Sequence, residues 1–577
     1  MKGENKSTVC VKDEENLYSN YDGLPTEAEF DKSVETYQTT FLGKLIPIMR
    51  CELPLISLII LCYGCIVFTY TFMKDFRNVI TETVLNKQAN NWFKLIVFFT
   101  LIYITGYTER LNERYTISNG IKVYVLHSCG FLFILSMLVL AKDYFWFQSG
   151  WAEFITIGST FSLRGLDFLG TVLLMVNHFV LSIYFVACEA IGSLLMTTLY
   201  IGFLGSIIPF KVFKRYLRVL ILSINVFSIF TGYFVKKALQ NIVNSKQKDY
   251  TYVYVGVLWI CIGLFGLIYF LLTFIKKEAA KPLYIEEVKS NKSVNMLTKQ
   301  AKKDKGGMGL TATLRSCINS KLLTSLAILC FSYNFSSFIN QTNAECCYEA
   351  YYDFLVMNPS QNVKNVVVEK SLLINSFRSM VSNSISLCVI WIMLSPLFNR
   401  MFNKLGVLGF SICQPIFSEL AAISMLIWAT NNLNQIDDVK PAFNFSLPFS
   451  FTSNILMECN FAAFFDAAIK ITKFAFYDFY VEYIYASIEV SKRSRYKNIV
   501  NSVFGKGGQT LGAVVFLLLE MCGMGSKTRQ VLPIVFVMIS IISIIAIFCC
   551  FYLNKIYKEA DKNNKFITDD PFFNKSQ

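Results

Sequence analysis

Residues 531–553 read VLPIVFVMISIISIIAIFCCFYL, and residues 53–73 read LPLISLIILCYGCIVFTYTFM. Neither stretch contains a charged residue, and each is long enough to cross bilayer hydrocarbon as a helix of about 20 residues. Core helices of soluble proteins are seldom so long without a charge. In lipid every backbone N–H and C=O must be satisfied within its own segment. The chain also lacks the alternating ten-residue pattern of a membrane barrel, so these segments are predicted to be helices. Similar runs lie near 92–108, 121–141, 176–208, 216–235, 252–275, 322–341, 372–398, 405–429, 446–471 and 503–523. The predicted fold is an all-α polytopic membrane protein with about twelve transmembrane helices, a two-half bundle.

Composition points the same way: 54% of the 577 residues are hydrophobic and 16% charged, against about 25% charged in ordinary soluble domains. The apolar run Thr171–Ile208 is nearly twice as long as one span requires and holds Glu189 and Gly192 near its middle. It is read as one long tilted helix, since two spans would put the chain ends on opposite faces. Loop charges agree with that parity. Arg110, Arg114 and Lys122, then Lys211, Lys214, Arg215 and Arg218, then the stretch from Lys276 to Lys321 share the side of the N-terminus. Connections on the other side, near Lys142, Arg164, Lys440, Lys527 and Arg529, are poorer in cations. Both termini are therefore predicted to be cytoplasmic. The net charge of +14 reads as anchoring at span ends and not as nucleic-acid binding, since no soluble basic domain carries it.

The tail over residues 1–50 is polar and rich in Asp and Glu, so neither a cleaved signal peptide nor an Arg-rich transit peptide is expected. A Lys-rich cytoplasmic linker, 276–320, separates a first six-helix half, 51–275, from a second, 321–553, and 554–577 form a cytoplasmic tail. This is the organisation of transporters built from two similar halves around a midplane site. The seventeen Cys are scattered. Cys62 and Cys65 have C-x-x-C spacing but sit mid-span with no second pair, and only His127 and His178 accompany them in the chain. No metal site and no cofactor are predicted, and packing is the expected role.

Function is expected where the bilayer should exclude charge, because a charge at midplane costs several kcal/mol unless it is paired or faces water. Lys74-Asp75-Phe76-Arg77 closes the first span and reads either as an interfacial anchor with a local ion pair or as part of a site. Glu189 has about a dozen apolar or small residues on each side, which suits a structural ion pair or a gating and substrate-side role. Span ten carries Glu458, Asp466 and Lys470, followed by Lys473, Asp478 and Glu482. Asp466, Lys470 and Lys473 fall at i, i+4 and i+7, one helical face that should line a wet cavity or neutralise itself. Ahead of span eleven, Lys492 to Lys497 and then Gly505-Lys506-Gly507-Gly508 put cations beside flexible backbone, where a helix start favours anions. A turn between spans is the plainer reading. The Walker spacing is missing and no strand precedes it, so no ATP hydrolysis, and no enzyme, is indicated.

These residues also carry a family resemblance. Lys473-Phe474-Ala475-Phe476-Tyr477-Asp478, Glu482 to Tyr485, Arg493 to Lys497, Asn501 and Gly505 to Gly508 resemble the signature region of ATP/ADP translocases from plastids and obligate intracellular parasites. There it runs K-Y-x-L-F-D, E-x-x-Y, K-x-K-x-K-A-x-x-D, G-K-S-G-G. Thr69 to Asn78 resembles the family's N-Y-T-x-x-R-D-x-K-D, Glu189 to Ser193 its E-L-W-G-S, and Phe402 to Gly406 with Pro415 its F-N-K-Y-G and following Pro. The resemblance implies a fold of major-facilitator type and alternating-access exchange of purine nucleotides, ATP and ADP with GTP and GDP as further substrates. It also implies residence in a parasite cell membrane or an organelle membrane, and important positions at Arg77, Glu189 and Lys506. It departs at Gln341, where the family has an acid, and at Ile412, where it has Lys.

ATP carries about four negative charges and cannot enter a low-dielectric cavity without cations to oppose them. Lys74, Arg77, Lys470, Lys473 and Lys506 are the predicted phosphate-binding residues, with Asp75, Glu189 and Gln341 completing the site. Glu189 is expected to hold one of the cations in the empty carrier. The adenine is expected to stack on an aromatic or Arg plane.

Overall fold

The computed structural model describes residues 52–83, 89–115, 117–142, 167–208, 219–234, 251–279, 319–357, 384–392, 396–432, 454–486, 500–519 and 528–562, with isolated positions between. The predicted N-terminal tail and the Lys-rich linker lie almost wholly outside them, whereas the last described segment continues as helix into the predicted C-terminal tail as far as Lys562. In the first half the helices are α1 (Leu53–Thr83), α2 (Ala89–Arg114), α3 (Ile117–Leu140), α4 (Asp167–Asn177), α5 (Phe179–Leu194), α6 (Tyr200–Ile207), α7 (Val219–Phe234) and α8 (Thr251–Ala279). The second half has α9 (Lys321–Met357), α10 (384–392), α11 (Pro396–Asn431), α12 (Ile455–Thr472), α13 (Asp478–Ala486), α14 (Gly505–Leu519) and α15 (Thr528–Lys562). Each predicted span meets a helix, although 372–398 is described only at 381 and from 384 to 392.

Among the described residues six helices are long and apolar enough to cross a membrane, or seven if α4 and α5 count as one bent span. The chain is a multi-pass membrane protein. Of those outside the six, α2 carries Lys94, and α12 carries Glu458, Asp466 and Lys470.

The run Thr171–Ile208 departs from the one long tilted helix predicted for it. It breaks at His178, whose φ of −99° and ψ of 42° leave the helical region, and α4 turns 91° from α5. The hydroxyl of Ser182 donates to the Met175 carbonyl at 2.8 Å, so an acceptor at the break keeps a partner, as burial in lipid requires. From Phe179 to Ile207 the chain is one continuous helical run through a π turn, Leu195–Leu199. Gly406, with φ 65°, marks a second break, inside α11. Only glycine adopts that conformation without strain, and the span proper begins just beyond it, at Leu408.

The buried apolar side chains gather into two large bodies. One is built from residues between Ile48 and Ala279, with α8 packed on α1 and α3. The other, Ile221 apart, comes from Leu322 to Tyr557, with α9 against α12, α14 and α15. Between the two bodies α2 touches α14, and the charged residues meet along that line.

Candidate functional site

Glu189 is the centre of the site. It sits on α5 among apolar neighbours with its side chain 3% exposed, where an unpaired carboxylate would be costly. Its Oε2 accepts from Nη1 of Arg77 on α1. Its Oε1 accepts from the Lys506 ammonium on α14 at 2.6 Å. Lys94 of α2 brings a third cation to 4.0 Å from the same Oε1. One carboxylate of the first half is therefore shared by two cations of that half and one of the second.

Rings hold these groups in place. The Arg77 guanidinium lies 4.5 Å from the Phe185 ring centroid, and Phe185 stacks on Phe93 at 4.1 Å, so guanidinium and two rings align α1, α5 and α2. Arg77 Nη2 also donates to the Asn78 side chain at 3.0 Å. Gly192, one turn past Glu189, lets α5 approach Tyr70 of α1 so closely that a Cβ there would meet the Tyr70 ring.

The glycines around Lys506 act differently from the predicted anion-binding helix start. The π turn Val500–Phe504 runs directly into α14, so the glycine run lies inside a continuous helix. A Cβ at Gly508 would collide with the Phe331 carbonyl and stand 3.0 Å from the Phe335 nitrogen, both backbone atoms of α9, and one at Gly512 would crowd Phe338. Gly505, Gly508 and Gly512 are a ridge of small residues that seats α14 on α9. That packing fixes Lys506 facing the first half. The Thr510 hydroxyl, 3.3 Å from the Lys94 carbonyl, joins α14 to α2 at the same level.

The second half supplies a further set of charges. Lys470 donates to Asp466 at 2.9 Å, the predicted i, i+4 pair. Lys473 does not extend that face: it opens the π turn Lys473–Tyr477, which shifts the register, and it pairs with Asp478 at 3.7 Å. Its ammonium lies 5.0 Å from the Tyr333 ring centroid, and Tyr333 stacks on Tyr477. Lys497 pairs with Glu482 at 2.5 Å. Lys74 projects from α1 with an exposed side chain, within electrostatic reach of Glu189, Arg77, Asp75 and Lys470. Gln341 donates to Glu345 at 3.1 Å, so α9 keeps a carboxylate one turn beyond Gln341. All three described π turns lie next to these charges or on the helix that bears Glu189, and such turns are frequent at functional sites.

Of the predicted residues, Arg77, Glu189 and Lys506 are in direct contact, Lys74 and Asp75 lie beside them, and Lys470, Lys473 and Gln341 belong to the second-half set. Lys94 is not among the predicted site residues; it lies near the start of its span, at the sixth residue of α2. Cys62 and Cys65 are buried free thiols inside α1. Among the described residues no group of His, Cys, Asp and Glu is arranged to hold a metal.

The profile of the TLC ATP/ADP transporter family matches residues 31–557. The chain is 23% identical over 560 residues to ADP,ATP carrier protein 1 of Encephalitozoon cuniculi, covering 95% of this chain and 94% of that one. It is 21% identical to ADP,ATP carrier protein 1 of Paranosema grylli, covering 95% and 96%. Among solved structures it resembles the major facilitator superfamily proton:xylose symporter XylE, with a TM-score of 0.50 and 11% identity over 87% of this chain and 96% of that one. That likeness is one of fold.

Proposed function

Because this chain belongs to the TLC ATP/ADP transporter family, we propose that it carries purine nucleotides, ATP and ADP above all, across a parasite cell membrane by alternating-access exchange. The observation that carries this reading is the sharing of Glu189 between Arg77 of one half and Lys506 of the other. A contact of that kind closes one side of a two-half carrier while it is empty. It yields when a polyphosphate offers the cations more negative charge than one carboxylate can. Lys74 and the paired Lys470 and Lys473 form the remainder of the phosphate path, and each already has an acidic neighbour to release. Glu345, one turn from Gln341, keeps a carboxylate on α9 beside the second-half cations' helix bundle. Both termini and the Lys-rich linker face the cytoplasm on the loop charges.

Purified protein in liposomes tests the reading. Labelled ATP is expected to accumulate and to be competed by ADP. Uptake of citrate-like anions or amino acids in its place sinks the nucleotide assignment.

A further inference from the structure

Lys94 is held less firmly than any other buried cation of the central cluster. Its Nζ is 4.0 Å from Glu189 Oε1, beyond hydrogen-bond distance, and that oxygen already accepts from Lys506 at 2.6 Å. Among the described residues no acceptor is within hydrogen-bond reach of the Lys94 ammonium, although its side chain is only 14% exposed. Beside it, Arg77 Nε is buried with no hydrogen-bond partner among those residues. Glu189, Arg77, Lys506 and Lys74 all lie within electrostatic reach of Lys94. One carboxylate faces three cations at its own oxygens, so the cluster carries an excess of positive charge in a setting that penalises it.

We propose that Lys94 is a substrate cation: with Arg77 and Lys506 it forms a receptor for the terminal phosphates of a polyphosphate anion, and Glu189 occupies that receptor only in part when the anion is absent. This deepens the nucleotide reading and rests on it for the identity of the natural ligand. An arriving phosphate supplies several acceptor oxygens and more than one negative charge, which one carboxylate cannot. It therefore satisfies the free donors of Lys94 and Arg77. Lys94 is well placed to adjust. It stands on α2 next to Phe93, which is anchored by its stack on Phe185, while its own backbone carbonyl is tied to Thr510 across the junction of the halves.

A substrate cation and a structural partner of Glu189 behave oppositely when removed, and inorganic tripolyphosphate tests this without reliance on the base. In detergent the wild-type protein is expected to be stabilised by tripolyphosphate. Lys94→Gln is expected to raise the concentration for half of that stabilisation about tenfold, with the ligand-free melting temperature unchanged or higher because an unneutralised buried cation has gone. Lys94→Arg, which keeps the charge, is expected to stay within about threefold of wild type. Tripolyphosphate binding unchanged in Lys94→Gln overturns the proposal. So does a Lys94→Gln protein that melts lower without ligand or fails to fold, since Lys94 would then be holding the structure together. If wild type binds tripolyphosphate through Lys94 but does not take up ATP, the nucleotide reading fails and this assignment stands.

Discussion

At the residue scale, the charges at the centre are unequal in what their removal leaves behind. Arg77→Ala and Lys506→Ala each leave Glu189 with two cations nearby, so the fold is expected to survive and the detergent-solubilised protein to elute as one species. ATP uptake by each should fall at least about tenfold, a loss of roughly 1.4 kcal/mol, and Arg77→Lys should retain part of the activity because charge persists without the guanidinium fork. Full uptake by both alanine variants would refute their role. Glu189→Gln is the reverse case. It strands three cations with no carboxylate at the hub, and breaking such buried pairing costs about 3–5 kcal/mol. A clearly lower melting temperature is expected, partly restored by ATP; a melting temperature equal to wild type would show that the cations do not depend on Glu189. Arg77, Glu189 and Lys506 were legible in the sequence because each interrupts or abuts a long apolar run. Lys94 was not, since a lysine near the start of a span looks like an interfacial anchor, and only the proximity of α5 to α2 reveals its partner.

At the level of elements, apolar length fixes where helices lie but not how they pass one another. The twelve predicted runs each contain helix in the described residues, yet the bend at His178 and the π turns at 195–199, 473–477 and 500–504 left no hydropathy signal. The second of those turns changes a site pairing, joining Lys473 to Asp478 in place of the Asp466 face that an ideal 3.6-residue period suggests. The glycines beside Lys506 looked like a loop feature and are a helix-packing one. Gly508→Ala is expected to lower the melting temperature, as overpacking costs about 1–3 kcal/mol, because its Cβ meets backbone atoms of α9 that cannot step aside. Gly507→Ala is the control: its Cβ would stand 3.6 Å from Phe98, an ordinary contact, and little change is expected. If the two variants melt alike, the ridge is not what seats α14.

On the scale of the whole molecule, two apolar bodies meet at a line of charges, and the carrier's two-half architecture follows from that division. The polar stretch 276–320 in the sequence falls where one apolar body gives way to the other. The contact between the bodies could not be read there, because it depends on Glu189 and Lys506, more than three hundred residues apart. A cysteine introduced at residue 300 is expected to react with a membrane-impermeant thiol reagent only from the cytoplasmic side; labelling from outside would reverse the orientation. The electrostatic lock has a further consequence at this scale. With Arg77, Lys94 and Lys506 gathered on one carboxylate, turning the empty carrier means desolvating surplus positive charge, which an anion relieves. Reorientation should therefore require nucleotide in both directions. The most direct measurement is uptake of labelled ATP by wild-type protein into liposomes that are either preloaded with ADP or empty. Strong uptake into preloaded vesicles and little into empty ones is the expected result, whereas equal uptake into both would contradict the lock.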